Sequence, residues 1–187
     1  SDLAVGYLWI RCFEGLPRIV GAGEGPLYWL VAADYQRTRA EFNYIVRNLV
    51  RLGYTESKLD FSNNVDPGHI TVTDGGRVIL SVETKSGTDH TKLAMFAPHG
   101  IVGCEASQMT EETYRRVDER SAEKRCWVFL GGTFEGSLGW YPALFQAWEY
   151  GEPDAQSFSV PTWTNTHIFP GGRNDPEILR LEREHSD

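Results

Sequence analysis

A chain of 187 residues, 41 % apolar and 12 % aromatic, is long and apolar enough to build a core, which excludes an intrinsically disordered polypeptide. A formal charge of −8 excludes a global basic field for a polyanion, so any contact with nucleic acid needs a local patch or a partner. Cys12, Cys104 and Cys126 are odd in number and far apart in apolar segments, which fits reduced thiols rather than a disulfide framework.

In chain order, Leu3, Tyr7, Leu8 and Cys12 recur at helical spacing behind Ser1 and Asp2, which predicts a helix over 2–13. The glycine- and proline-rich stretch 15–26 reads as a loop, and Leu27 to Ala32 as a fully buried strand. Residues 35–52 carry a helical period with Phe42, Ile45, Val46 and Leu49 on the inner face, and Gly53 ends the helix. Ile70 to Val72 and Arg77 to Val82 flank Asp74-Gly75-Gly76, the signature of a β-hairpin. Residues 85–98 read as irregular.

The run Gly100 to Ser107 then reads as a second buried strand, ending on Glu105 beside a small residue. A polar-faced helix is expected over 109–120, starting near Thr110 with Glu111 and Glu112 in its first turn, where the helix dipole favours negative charge. Cys126 to Leu130 makes a third apolar strand that stops at Gly131-Gly132-Thr133, a small-residue turn bearing a hydroxyl. An aromatic helix over 140–150, a short strand over 158–161 and a final helix from about Asp175 complete the reading. Strands alternating with helices imply an α/β layer fold with the Asp74 hairpin as an antiparallel addition. Two strand ends carrying Glu105 and Thr133 point to a site above the carboxyl edge of a parallel sheet.

Other motifs compete with that site. The glycines of Gly21 to Gly25 come before a strand instead of between a strand and a helix, so they do not match a dinucleotide loop. The five histidines lack metal-ligand spacing. The layout of Asp74 followed by Glu83-Thr84-Lys85 resembles restriction-endonuclease-like nucleases, in which two carboxylates hold a metal and the lysine steadies hydroxide. A metal-dependent nuclease using Asp74, Glu83 and Lys85 is therefore the alternative function.

The order of segments resembles the ATPase domain of the large terminase of tailed phages and herpesvirus-type viruses, the motor that packages viral DNA. Leu30 to Tyr35 resembles the strand and turn after that family's first helix, and Ile101 to Ala106 its Walker B strand. Gly131-Gly132-Thr133-Phe134 resembles the coupling motif, Gly139-Trp140-Tyr141 with Leu144-Phe145 the aromatic helix after it, and Pro161 to Asn165 the segment leading to the nuclease domain. The resemblance implies a three-layer P-loop NTPase-like fold, mainly parallel, over 1–151, with 152–187 leading toward a nuclease domain. Both ends of the chain look cut.

The same resemblance implies ATP and Mg2+ as cofactors. Glu105 would polarise the attacking water, Thr133 and Gly132 would sense phosphate, and Lys92 would serve a neighbouring subunit's site. Double-stranded viral DNA, a portal protein, a small terminase subunit and a homo-oligomeric ring are the implied partners, in the host cytoplasm and away from membranes. Two departures stand out. Cys104 replaces the Walker B aspartate, and the glycine loop with its lysine is absent, so that Ser1 reads as the last residue of Gly-Lys-Ser and would bind magnesium only when joined to Gly-Lys. An engineered truncation, a gene fragment and an intein junction would each produce that start, and the chain as supplied is expected to hydrolyse little ATP.

Overall fold

The computed structural model describes residues 25–134 and 139–184 together with Gly6. Ser1, Cys12 and the expected helix over 2–13 lie outside the described residues, apart from Gly6, which is helical. The chain divides into two compact units, Ser1–Pro142 and Ala143–Asp187, and each is described by itself.

The first unit is built on a six-stranded sheet in the order β2-β3-β4-β1-β5-β6. Its centre is β1 (Leu27–Ala32), five of whose six residues are buried. An apolar run without alternation needs cover on both faces. One face turns Tyr28, Leu30 and Ala32 toward helix α1 (Arg39–Arg51), which supplies Phe42, Ile45 and Leu49. The other turns Trp29 and Val31 toward Leu93, Met109, Tyr141 and Val117 of helix α2 (Glu111–Lys124). Helix, sheet and helix therefore form three layers.

β4 (Arg77–Ser86) has two roles along its length. Its first part runs antiparallel to β3 (His69–Asp74), closed by Gly75 and Gly76 at φ +56° and +75°, the left-handed pair that a two-residue hairpin turn requires. Its last six residues, Ser81 to Ser86, pair in parallel with β1, so the hairpin strand is also a member of the parallel sheet. β1 pairs in parallel with β5 (Gly100–Gly103), and β5 with β6 (Trp127–Leu130). The strands β4, β1, β5 and β6 thus end at one edge, and the sheet is mostly parallel, as the α/β reading requires.

Several boundaries differ from the sequence reading. The strand expected over Gly100 to Ser107, with Glu105 at its end, stops at Gly103, because Glu105 turns into the left-handed region (φ 49°, ψ 52°) and Ala106–Gln108 forms a 3-10 turn. Lys85 and Ser86 continue β4 instead of opening an irregular stretch, and His90–Leu93 makes a single helical turn. β2 (Leu59–Phe61), three residues with one buried, escaped the sequence reading and covers the outer edge of β3. The strand expected over 158–161 does not form, since nothing in the sheet pairs with it.

Helix α3 (Trp140–Glu149) begins in the first unit and continues into the second, whose other helix is α4 (Pro176–Glu184). In the second unit Ser157 Oγ donates to the Phe145 carbonyl at 2.8 Å, and Asp175 accepts from the Glu177 amide at 3.0 Å to start α4. Among the described residues no helix is long and apolar enough to cross a membrane.

Candidate functional site

The edge where four parallel strands end is where an open α/β sheet places a ligand, because the chain must turn there and side chains at the tips escape the layers. The tips of β5 and β6 are stitched together past their last residues. The Gly131 amide donates to the Gly103 carbonyl at 2.9 Å, and the Ala106 amide to the Gly131 carbonyl at 2.8 Å. Glu105 is thereby held between two fixed amides and exposed to solvent. A left-handed backbone on a residue with a Cβ costs about 1–2 kcal/mol, so it persists only where the surrounding bonds impose it.

Gly132 lies against this turn. A Cβ at Gly132 would stand 3.0 Å from the Ala106 nitrogen and 3.2 Å from that of Ser107, so a larger residue would push the two tips apart. Thr133 follows directly, and Phe134 then packs its ring 5.8 Å from that of Tyr141. Burial raises the phenol of Tyr141, and the negative charge of Glu105 raises it further. Trp140 stacks on Tyr114 at 4.8 Å and donates its indole N–H to the Met109 carbonyl at 2.8 Å, which fixes the start of α3 against this corner. Glu105, Gly132 and Thr133 therefore share one corner of the sheet edge. Ser1, the third member expected there, lies outside the described residues.

Cys104, next to Glu105, is 2 % exposed. Burial pushes its thiol well above the ordinary range, the neighbouring carboxylate of Glu41 pushes it the same way, and its Sγ donates to the Val102 carbonyl at 3.9 Å. A buried, protonated thiol is a soft and neutral group, unsuited to a hard cation such as Mg2+. Among the described residues no cluster of three or more His, Cys, Asp or Glu could hold a metal ion.

Lys92 stands at the same edge but beyond β1, in the helical turn that follows β4. Its Nζ lies 3.0 Å from Asp89 Oδ2 and 3.3 Å from the Tyr35 hydroxyl, and it rests over the Tyr35 ring. These bonds raise its pKa, chiefly through Asp89. It is a held, charged group with 40 % of its side chain exposed, so it can face a second molecule.

The nuclease constellation does not assemble. Register pairs Asp74 with Arg77 at the hairpin tip and Glu83 with His69, six residues further along β4. At the rise of an extended strand that is about 20 Å. Asp74 is paired with Lys58 at 2.6 Å. Alternation does place Glu83 and Lys85 on one strand face, where they bond each other at 2.7 Å, but Lys85 is largely buried over the Trp29 ring and faces no second carboxylate from Asp74.

Sequence reasoning missed Glu41, 4 % exposed and seated in the first turn of α1. The signal was present, because Glu41 is four residues before Ile45 and so falls on the inner helical face.

With this geometry in place, comparison with solved structures is decisive for the fold. The ATPase domain of the large terminase of Thermus phage P74-26 superimposes over 100 % of this chain and 83 % of its own, with a TM-score of 0.63 and 15 % identity. The fold is that of a phage large-terminase ATPase domain. A single-residue variant of the same phage domain matches over 97 % of this chain and 82 % of its own at a TM-score of 0.62 and 15 % identity. The large terminase of a thermophilic bacteriophage matches over 84 % of this chain but only 44 % of its own, at 0.52 and 9 % identity. No protein-family model matches the chain, and no curated protein does. At these identities the terminase likeness is one of architecture alone.

Proposed function

We propose that this chain is the ATPase domain of a viral DNA-packaging motor, with Glu105 as the residue that orients and polarises the attacking water. The observation that carries this reading is the exposed carboxylate of Glu105, held in left-handed backbone at the end of a parallel strand and set against the glycine turn after β6. In the reaction the water oxygen attacks the γ-phosphorus, the bond to the β–γ bridging oxygen breaks, and the water's proton is drawn toward the Glu105 carboxylate. The turn at Gly132 and Thr133 lies beside that carboxylate and is the group placed to respond when phosphate leaves.

Magnesium neutralises phosphate charge in such sites when bound. The protonated thiol of Cys104 does not fit the ion. Lys92, held by Asp89 and Tyr35 yet partly exposed, is placed to meet the phosphates of a neighbouring subunit in a ring. Double-stranded viral DNA, the portal protein and the small terminase subunit are the partners this reading carries, in the host cytoplasm.

The test is turnover. The chain joined at Ser1 to a glycine loop ending in Gly-Lys is expected to hydrolyse ATP steadily. In that joined chain Glu105→Gln lowers turnover by about 10²–10⁴-fold, the span typical of losing a positioned acid–base group. Turnover that survives Glu105→Gln ends the proposal.

A further inference from the structure

Helix α1 carries its charge differently from the other long helix of the first unit. Arg39, Asn43, Arg47 and Arg51 recur at every fourth position, and all are exposed. Side chains four residues apart lie one above another on a helix, so these form a strip roughly 18 Å long. The strip faces away from Phe42, Ile45 and Leu49, which pack on the sheet. The only acid in α1, Glu41, is buried on the inner side, so no carboxylate of the helix shares the strip.

Exposed arginines are ordinarily solvated and matched by acids, as α2 illustrates. There Arg115, Arg116 and Arg120 are paired with Glu111, Glu112 and Glu123. Nothing of the kind holds the strip on α1. Arg39 donates from Nε and Nη2 to the neutral Gln36 Oε1 at 3.2 and 2.8 Å, and Arg47 rests over the Tyr44 ring, 5.6 Å from its centroid. Both contacts orient a guanidinium without neutralising it. Arg51 sits in the last turn, where the helix dipole favours a cation. Among the described residues Arg39, Arg47 and Arg51 form no ion pair. In a chain of formal charge −8 this is a local positive stripe, the feature that contact with a polyanion needs.

The side chains around the stripe select the partner. Guanidinium forks match phosphate oxygens, and three along one helix call for a repeating anion. Ala40 and Val50, the apolar side chains exposed on α1, are too small to anchor a folded protein as aromatic hot spots do. Tyr44 packs against the core and is covered by Arg47, so α1 offers no free ring on which an unpaired base could stack.

We infer that the outer face of α1 binds the phosphate backbone of double-stranded DNA through Arg39, Arg47 and Arg51, with Asn43 donating between them. Backbone contacts position a duplex without reading its sequence. The inference rests on the motor reading for the presence of a duplex, and it assigns the surface that meets it.

The experiment is fluorescence anisotropy of a labelled duplex of mixed sequence, titrated with the chain at several salt concentrations. Three neutralised phosphates give log K a slope of about −2.7 against log salt, so affinity is expected to fall about 40-fold between about 50 and 200 mM. The triple variant Arg39→Gln, Arg47→Gln, Arg51→Gln is expected to lose about 2 to 3 of that slope and to bind about 10-fold or more weakly at the lower salt. The matched triple variant Arg115→Gln, Arg116→Gln, Arg120→Gln removes the same charge from α2 and is expected to stay within about twofold of the parent. Should the α1 triple variant fail to fold by circular dichroism, the three single variants decide, each expected to lower the slope by about 1.

A parent that does not bind duplex at low salt overturns the inference, as does an α1 variant that binds like the parent or an equal loss in the α2 variant. A single strand of the same length bound as tightly as the duplex overturns it too, and so does polyglutamate that displaces the labelled duplex as well as unlabelled duplex does. None of these readouts measures hydrolysis. A chain that fails here still stands or falls as an ATPase on Glu105→Gln, so the two failures are distinguishable.

Discussion

The two halves of the sheet bury their strands differently. In the parallel half, β1 and β5 are buried almost without interruption, with Trp29, Val31 and Ile101 on one side and Tyr28, Leu30 and Val102 on the other. In the antiparallel half, β3 alternates buried Ile70 and Val72 with more exposed neighbours, and only Leu59 of β2 is buried. A strand covered on both faces is fixed in register and height, so its tip can hold a catalytic group to a fraction of an ångström. A half-covered hairpin tip cannot offer that. The carboxylates follow the same division. Asp74, at the hairpin end, is an exposed partner of Lys58, whereas Glu105, at the end of the two-faced strands, is held in strained backbone with no cation paired to it among the described residues.

The largest expected effect tests that division directly. Trp29→Ala removes a fully buried ring from the parallel half and is expected to cost about 3–5 kcal/mol in a urea titration. Val78→Ala, 38 % exposed in the antiparallel half, is expected to cost about 1 kcal/mol or less. Equal costs would mean that the two halves are not packed as unlike layers.

A smaller effect follows from the thiols, both of which belong to the parallel half. Burial pushes Cys126 from 9.0 up to about 12, and burial with the Glu41 charge pushes Cys104 up as well. A folded-state pKa above the unfolded one means that the native chain keeps protons that the unfolded chain releases. The contribution is complete below about pH 9 and is lost progressively between 9 and 12. The urea midpoint should therefore be level up to about pH 8.5 and fall above it. Cys126→Ala should flatten that fall, and an identical decline in the variant would show that its thiol is not buried as described.

Much of this was legible in the sequence, for reasons that particular residues make plain. Leu27 to Ala32 and Trp127 to Leu130 are unbroken apolar runs bounded by small residues, so they read as two-faced strands, and parallel strands of one sheet end at the same edge. The Asp74 turn was readable because two glycines in succession have few other uses. The bulge between Val72 and Thr73, the second, parallel role of β4 and the pairing of three-residue β2 depend on contacts distant in sequence, which no local pattern encodes. Glu41 was passed over because a charged residue in a helix is ordinarily solvated. Its burial follows from how α1 packs on the sheet, a tertiary quantity. Lys85 was missed as a core residue for the same reason, since its stem lies along Trp29 and only its pairing with Glu83 makes the burial tolerable.

The smallest expected effect is at Asp74. Lys58 holds its carboxyl below the usual range, through a hydrogen bond first and charge second. A lowered folded-state pKa contributes stability above the ordinary aspartate range and loses it as pH falls through the folded value, but both side chains are more than half exposed and the pair is screened by salt. Asp74→Asn is therefore expected to leave the urea midpoint nearly unchanged at pH 7, with any small loss disappearing in 0.5 M salt. It should also leave ATP turnover of the Gly-Lys-joined chain unaltered, because the hairpin tip lies at the opposite end of β4 from the site. A variant as inactive as Glu105→Gln would place chemistry at the hairpin and undo the distinction between the two halves.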